Sequence, residues 1–198
     1  MSGAPACHRV GLAPFVGMWT VMMAAMMFPA VIPVVIAFVT FARSRQGSPA
    51  LFVGGYLLVW GLLGLPAYAL LLAADQVTAV APALAHAGAA ILIACGLYQL
   101  TPLKDACLRH CRVPHLFLGH HWRDGRAGSL VLGAHHGLYC AGCCASLMIV
   151  LLVVGVMNLA WMVGLSALIF LEKALPGGIV VGRLAGIALC VAGIARLT

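Results

Sequence analysis

The chain has 198 residues, of which 64% are hydrophobic and only 8% charged, and its mean hydropathy is +1.12. No soluble domain carries that balance, so the sequence predicts a protein dissolved in lipid. Eleven Lys and Arg against four Asp and Glu give a net charge of +7. In a chain this apolar the excess reads as topology information rather than as a nucleic-acid surface, and no nucleic-acid partner is expected.

In a bilayer core every backbone N–H and C=O needs a partner within the protein. The apolar runs are about 20 residues long, which suits helices and not barrel strands. The expectation is an all-α, polytopic bundle of about six spans, forming a single integral membrane domain. Residues Met1 to Ala13 lack a short apolar core followed by a small-residue cleavage site, so no cleavable signal peptide is expected.

The first span runs from about Pro14 to Phe41 and ends in the polar turn Arg43 to Pro49. It contains the string MWTVMMAAMMFPAVIP. At about 100° per residue, Met18, Met22, Met26, Pro29 and Pro33 share one face. Thioethers suit Cu(I), and the two prolines deprive the carbonyls of Ala25 and Pro29 of their helix partners, so this face can line a site. Methionine also packs well among helices for its own sake, and that reading stays open.

The second span runs from about Leu51 to Ala73 and the third from about Ala83 to Leu100. A polar segment follows, from about Thr101 to Gly128, and is expected to be cytoplasmic. It carries Cys107, His110, Cys111, His115, His120 and His121 among five cations. The spacing matches no standard zinc motif. A Cys/His site on a short helix is one reading, and a solvated basic loop on anionic headgroups is the preferred one.

From Ser129 to Leu171 there is no Asp, Glu, Lys or Arg. About 43 residues at about 1.5 Å each reach about 64 Å, two crossings of a ~30 Å core, with a turn near Gly155 to Asn158. The first crossing holds HHGLYCAGCCASLM. With His136 at 0°, Cys140 falls at about +40°, Cys143 at about −20° and Cys144 at about +80°, so one helix face offers an imidazole and up to three sulfurs. His135 adjoins them. Imidazole and thiol at that depth are costly without a role, and soft donors favour a soft ion. The alternative is close helix packing through small Cys and Gly residues. Carboxylates are nearly absent from the spans, which disfavours hard cations.

Glu172 beside Lys173 is expected to be a paired interfacial group, and Asn158 a turn or cap residue. A last span runs from about Ile179 to Ile194, after Pro176-Gly177-Gly178. Nine cations (Arg43, Arg45, Lys104, Arg109, Arg112, Arg123, Arg126, Lys173, Arg183) fall in or beside alternate loops, with Arg9 and Arg196 on the other side. Both termini are therefore expected outside the cytoplasm. No serine triad, Walker loop or dinucleotide fingerprint occurs in a fitting context, and no catalytic residue or organic cofactor is predicted.

The strings MWTVMMAAMMFP, GLYQLTPLKDACLRHCRVP, HHGLYCAGCC, LMIVLLVVGVMNLAWM and LEKALPGG together resemble a bacterial domain-of-unknown-function family of predicted metal-binding integral membrane proteins. The likeness runs from Met18 onward. Members of that family carry a Trp after the paired cysteines, where this chain has Ala145. The resemblance implies a place in the bacterial cytoplasmic membrane and a metal role, and supplies no activity.

The leading expectation is a protein that binds or relays a soft metal ion, with copper preferred, through His135, His136, Cys140, Cys143, Cys144, Met22 and Met26. Other membrane subunits or a metal chaperone are its expected partners besides lipid. Two alternatives stand beside it: a membrane thiol-disulfide or oxidase-type enzyme cycling Cys140 with Cys143 or Cys144, and a structural subunit of a larger membrane complex.

Overall fold

The computed structural model describes residues 11–42, 47–77, 81–154 and 158–197, without the side chains of 74–77 and 81–85. Among these residues there are eight helices and no strand: α1 Leu12–Ala42, α2 Pro49–Val77, α3 Ala81–Gln99, α4 Pro102–Arg112, α5 Pro114–His121, α6 Gly125–Val154, α7 Leu159–Ala174 and α8 Gly178–Ile194. Six of them are the apolar runs of the sequence. Arg43, Arg45, Arg9 and most of the turn after α6 lie outside the described residues, while Asn158 caps α7 by accepting from the Trp161 amide.

Length separates the six. Only α1, α2 and α6 are long and apolar enough to cross a membrane, and the 60° bent pair His86–Gln99 and Pro102–Arg112 makes a fourth if it is one span. The expected six spans therefore become three or four. Two helices fall short: the charge-free stretch divides unequally, α6 taking 30 residues and leaving α7 only 16, and α8 has 17. At about 1.5 Å per residue α6 is about 45 Å long and α7 about 24 Å.

Close backbone contact joins α2 to α6. A Cβ on Gly55 would overlap the Leu130 carbonyl, and one on Gly133 would overlap the Phe52 carbonyl. Such close approach multiplies the dispersion contacts that hold two helices together. α2 and α6 run in the same direction, since Phe52 meets Gly133 and Val59 meets Gly137. α1 runs against them, tied by the Trp19 indole donating to the Trp60 carbonyl at 3.0 Å and by Phe38 stacked on Phe52 at 4.7 Å. α3 is antiparallel to α6, its Tyr98 hydroxyl donating to the Gly142 carbonyl at 2.7 Å, and α8 is antiparallel to α3 through Gly186 and Gly193. The start of α1 and the end of α8 thus lie at the same end of the bundle.

The polar segment is not a solvated loop. Thr101 caps α4, Pro102 opens it, Asp105 sits in its first turn and Arg109 and Arg112 in its last, each placed as helix ends favour. Lys104, Leu108 and Cys111 recur at helical spacing and are buried. α5 buries Phe117 and Leu118 against Phe38, Phe52 and Leu132. The segment folds back onto the bundle as two short helices through Leu108, Cys111, Phe117 and Leu118, while Leu103 and Leu116 stay exposed.

Candidate metal centre

Three cysteines of α6 and one of α4 meet in the core. Cys140, Cys143 and Cys144 are 0–1% exposed and Cys111 is 6% exposed. The sulfurs of Cys111 and Cys143 are 3.9 Å apart and those of Cys143 and Cys144 3.5 Å apart. Cys140 belongs to the same buried cluster, and Cys143 donates to the Cys140 carbonyl at 3.1 Å. All four are free thiols.

Two polar side chains close on Cys140. The Tyr56 hydroxyl is 3.2 Å from its sulfur, and the Lys173 ammonium donates to it at 3.0 Å. Lys173 does not pair with its neighbour Glu172, contrary to the sequence expectation. Helix geometry turns consecutive residues about 100° apart, so Glu172 faces α4 and pairs with Lys104 at 2.8 Å while Lys173 faces the thiols. Both members of the Lys104–Glu172 pair are buried.

α1 brings its methionines to the same apolar cluster. Met23, Met26 and Met27 are buried in it with the four cysteines, and Met22 packs at its edge. The inward face is turned from the expected one: Met18 is 41% exposed while Met23 and Met27 are fully covered. Pro29 and Pro33 line a cavity of about 50 Å³ together with Cys111, Arg112 and Lys173. The proline face of α1 therefore borders Cys111 and none of the other three thiols.

The two histidines of α6 part company. His136 is 1% exposed, boxed by Phe52, Tyr56 and Phe117 at ring distances of 5.3–6.1 Å, with no hydrogen-bond partner for its Nδ1. His135 is half-buried and meets His121 of α5. Among the described residues no group of three or more Cys, His, Asp or Glu side chains is placed to hold a metal ion. The sulfurs lie in thiol-to-thiol contact instead.

Cys111 and Lys173 are the site residues that sequence reasoning placed elsewhere. Cys111 carried a signal in the Leu108/Cys111 face of an amphipathic α4. Lys173 carried none, because its place depends on the register of α7 against α6.

An all-α protein with a buried cluster of soft donors and one ammonium turned into it: that is the class which fold and site define. The chain belongs to the PpoB2 copper chaperone family, whose model matches residues 16–196. No curated protein and no solved structure matches.

Proposed function

We propose that this protein is an integral membrane copper-binding protein that holds Cu(I) on Cys111, Cys140, Cys143 and Cys144 and hands it on. The observation that carries this reading is the convergence of four free thiols from two helices in a dry core. Sulfurs around a tetrahedral ion bound at about 2.3 Å stand about 3.8 Å apart, close to the 3.5 and 3.9 Å separations here. Small side-chain rotations would exchange thiol contacts for a shared ion. Four cysteine sulfurs on a monovalent ion leave excess negative charge as they ionise, and Lys173 supplies an ammonium against it within the cluster. Softness selects copper over hard ions, and no carboxylate joins the four sulfurs. Met26 within the cluster and Met22 at its edge would serve as auxiliary thioether donors, and His136 stands one helical turn from Cys140. The family's description as a copper chaperone supports the same cargo.

A membrane setting is supported by the outer faces. Val21, Ile36, Leu62, Leu184 and Val191 are 56–71% exposed on apolar helices, a pattern that suits lipid and not water. Cytoplasmic placement of α4 and α5, with both chain ends outside, follows the distribution of cations. Copper would reach Cys111 through the cavity at Pro29 and Pro33 and leave by thiol exchange to a partner protein.

A redox role for Cys111 and Cys143 is the second reading, favoured by their 3.9 Å separation beside that cavity. One titration separates the two. Detergent-purified protein is titrated anaerobically with Cu(I) against a chromophoric chelator. Tight binding by the wild type that C140S/C143S loses, with helicity kept, supports the copper reading. Equal binding by both proteins overturns it.

A further inference from the structure

We infer that the cavity between α1, α4 and α7 is a port for copper delivered as an anion, a Cu(I) ion held between two thiolates, which Arg112 and Lys173 receive. This rests on the reading that Cu(I) is the cargo of the thiol cluster, and names the form in which the ion arrives.

The cavity suits one end of such a complex. Its volume is about 50 Å³, and at about 10–15 Å³ for each water-sized group that is room for about three to five of them. A methylene, a sulfur and a copper ion would fill it, and a whole carrier would not enter. Among the lining residues Pro29, Pro33, Phe170 and Ala174 are exposed while Cys111 and Lys173 are buried. The cavity therefore leads from the surface to one sulfur of the cluster.

Charge selects the form of the cargo. Arg112 and Lys173 line the cavity, and among the described residues no carboxylate joins them. The nearby acids are engaged elsewhere, Asp105 with Arg183 and Glu172 with Lys104. Arg112 donates to the Leu175 and Pro176 carbonyls at the end of α7, at 2.8 Å to the second. Those bonds hold the guanidinium in place, and it has further N–H donors for an anion. Lys173 also donates to the Cys140 sulfur at 3.0 Å, so one ammonium serves both port and cluster. Two cations repel a bare Cu(I) ion and attract one that two thiolates have made anionic.

Entry is a ligand exchange with copper in one oxidation state throughout. The Cys111 sulfur bonds to copper, one carrier sulfur–copper bond breaks, and the Cys111 thiol proton leaves on the departing carrier thiolate. Cys143, whose sulfur is 3.9 Å from that of Cys111, displaces the second carrier thiolate in the same way.

The test loads the full chain in detergent, without oxygen, from two donors: the anionic Cu(I)–glutathione complex and the cationic Cu(I)–acetonitrile complex. Copper on the protein is measured after rapid desalting at set times. Arg112→Met should slow loading from the glutathione complex about tenfold, leave loading from the acetonitrile complex as fast as before, and keep the final copper content. Arg112→Lys should recover most of the lost rate. Ala174→Trp, which fills the cavity from an exposed position, should slow both donors. Arg126→Met removes an exposed cation that does not line the cavity and should change either rate by less than about twofold. A protein carrying Cu(I) on two cysteines serves as a third donor. Slowing of its transfer by Arg112→Met, at a wild-type rate above that of glutathione, makes a protein thiolate the source, and a lower rate makes it a small thiol. Unchanged loading in both Arg112→Met and Ala174→Trp, or equal slowing of the anionic and cationic donors in Arg112→Met, would overturn the port and leave the thiol site standing. A wild type that takes copper from no donor would remove the thiol reading and the port with it.

Discussion

Lys173 shows how much of a site one helical register decides. Its neighbour Glu172 is turned to Lys104, and the ammonium itself meets Cys140 at 3.0 Å. A charge-assisted hydrogen bond contributes about 1.5–3 kcal/mol. Replacing Lys173 with Met should therefore weaken Cu(I) binding about 10- to 100-fold in a chelator competition, and Arg should restore part of it. An affinity unchanged in K173M would mean that the ammonium does not serve the ion. Met26→Leu belongs at the other extreme. It keeps the packing of a buried residue and removes one weak donor, so stability should fall by less than about 1.5 kcal/mol and copper affinity by less than in K173M. The sulfurs of Cys140, Cys143 and Cys144 were legible because 100° per residue puts them on one face. The same rule put His136 with them, yet aromatic neighbours from α2 and α5, which no helical wheel contains, surround its ring.

Contacts between elements carry the fold, and two of them yield opposite predictions for one residue type. Gly133 touches the Phe52 carbonyl, whereas Gly54 has nothing within 4 Å of where a Cβ would stand. Gly133→Val should separate α2 from α6 and cost about 1–3 kcal/mol or more. Gly54→Ala should be neutral or stabilising by up to about 1 kcal/mol, from helix propensity alone. Thermal unfolding in detergent checks both, and equal effects would contradict the close α2–α6 contact. The tie between α4 and α7 is tested in the same way. Glu172→Ala leaves Lys104 buried without its partner and should cost about 3–5 kcal/mol, while the K104M/E172L pair should cost much less. Helix positions were legible from apolar runs and breakers, α1 and α8 to within about two residues. The folding-back of α4 and α5 was not, since a segment with five cations reads as solvated until its buried residues are counted by face.

At the scale of the whole molecule, three long helices set the reach of the bundle and short ones fill in beside them. Hydropathy counts spans where length does not, so six apolar runs became three or four helices fit to cross. The two described chain ends lie at one end of the bundle. On the proposed orientation, with both ends outside the cytoplasm, a C-terminal alkaline phosphatase fusion should be active and a fluorescent-protein fusion dark, and the reverse would invert the orientation. The central claim is that buried sulfurs hold the cargo. X-ray absorption of the purified protein, loaded anaerobically with one equivalent of Cu(I), tests it most directly. The account predicts a first shell of sulfur, lost in C140S/C143S. A shell of nitrogen and oxygen alone, or the same spectrum and copper content in that variant, would contradict it.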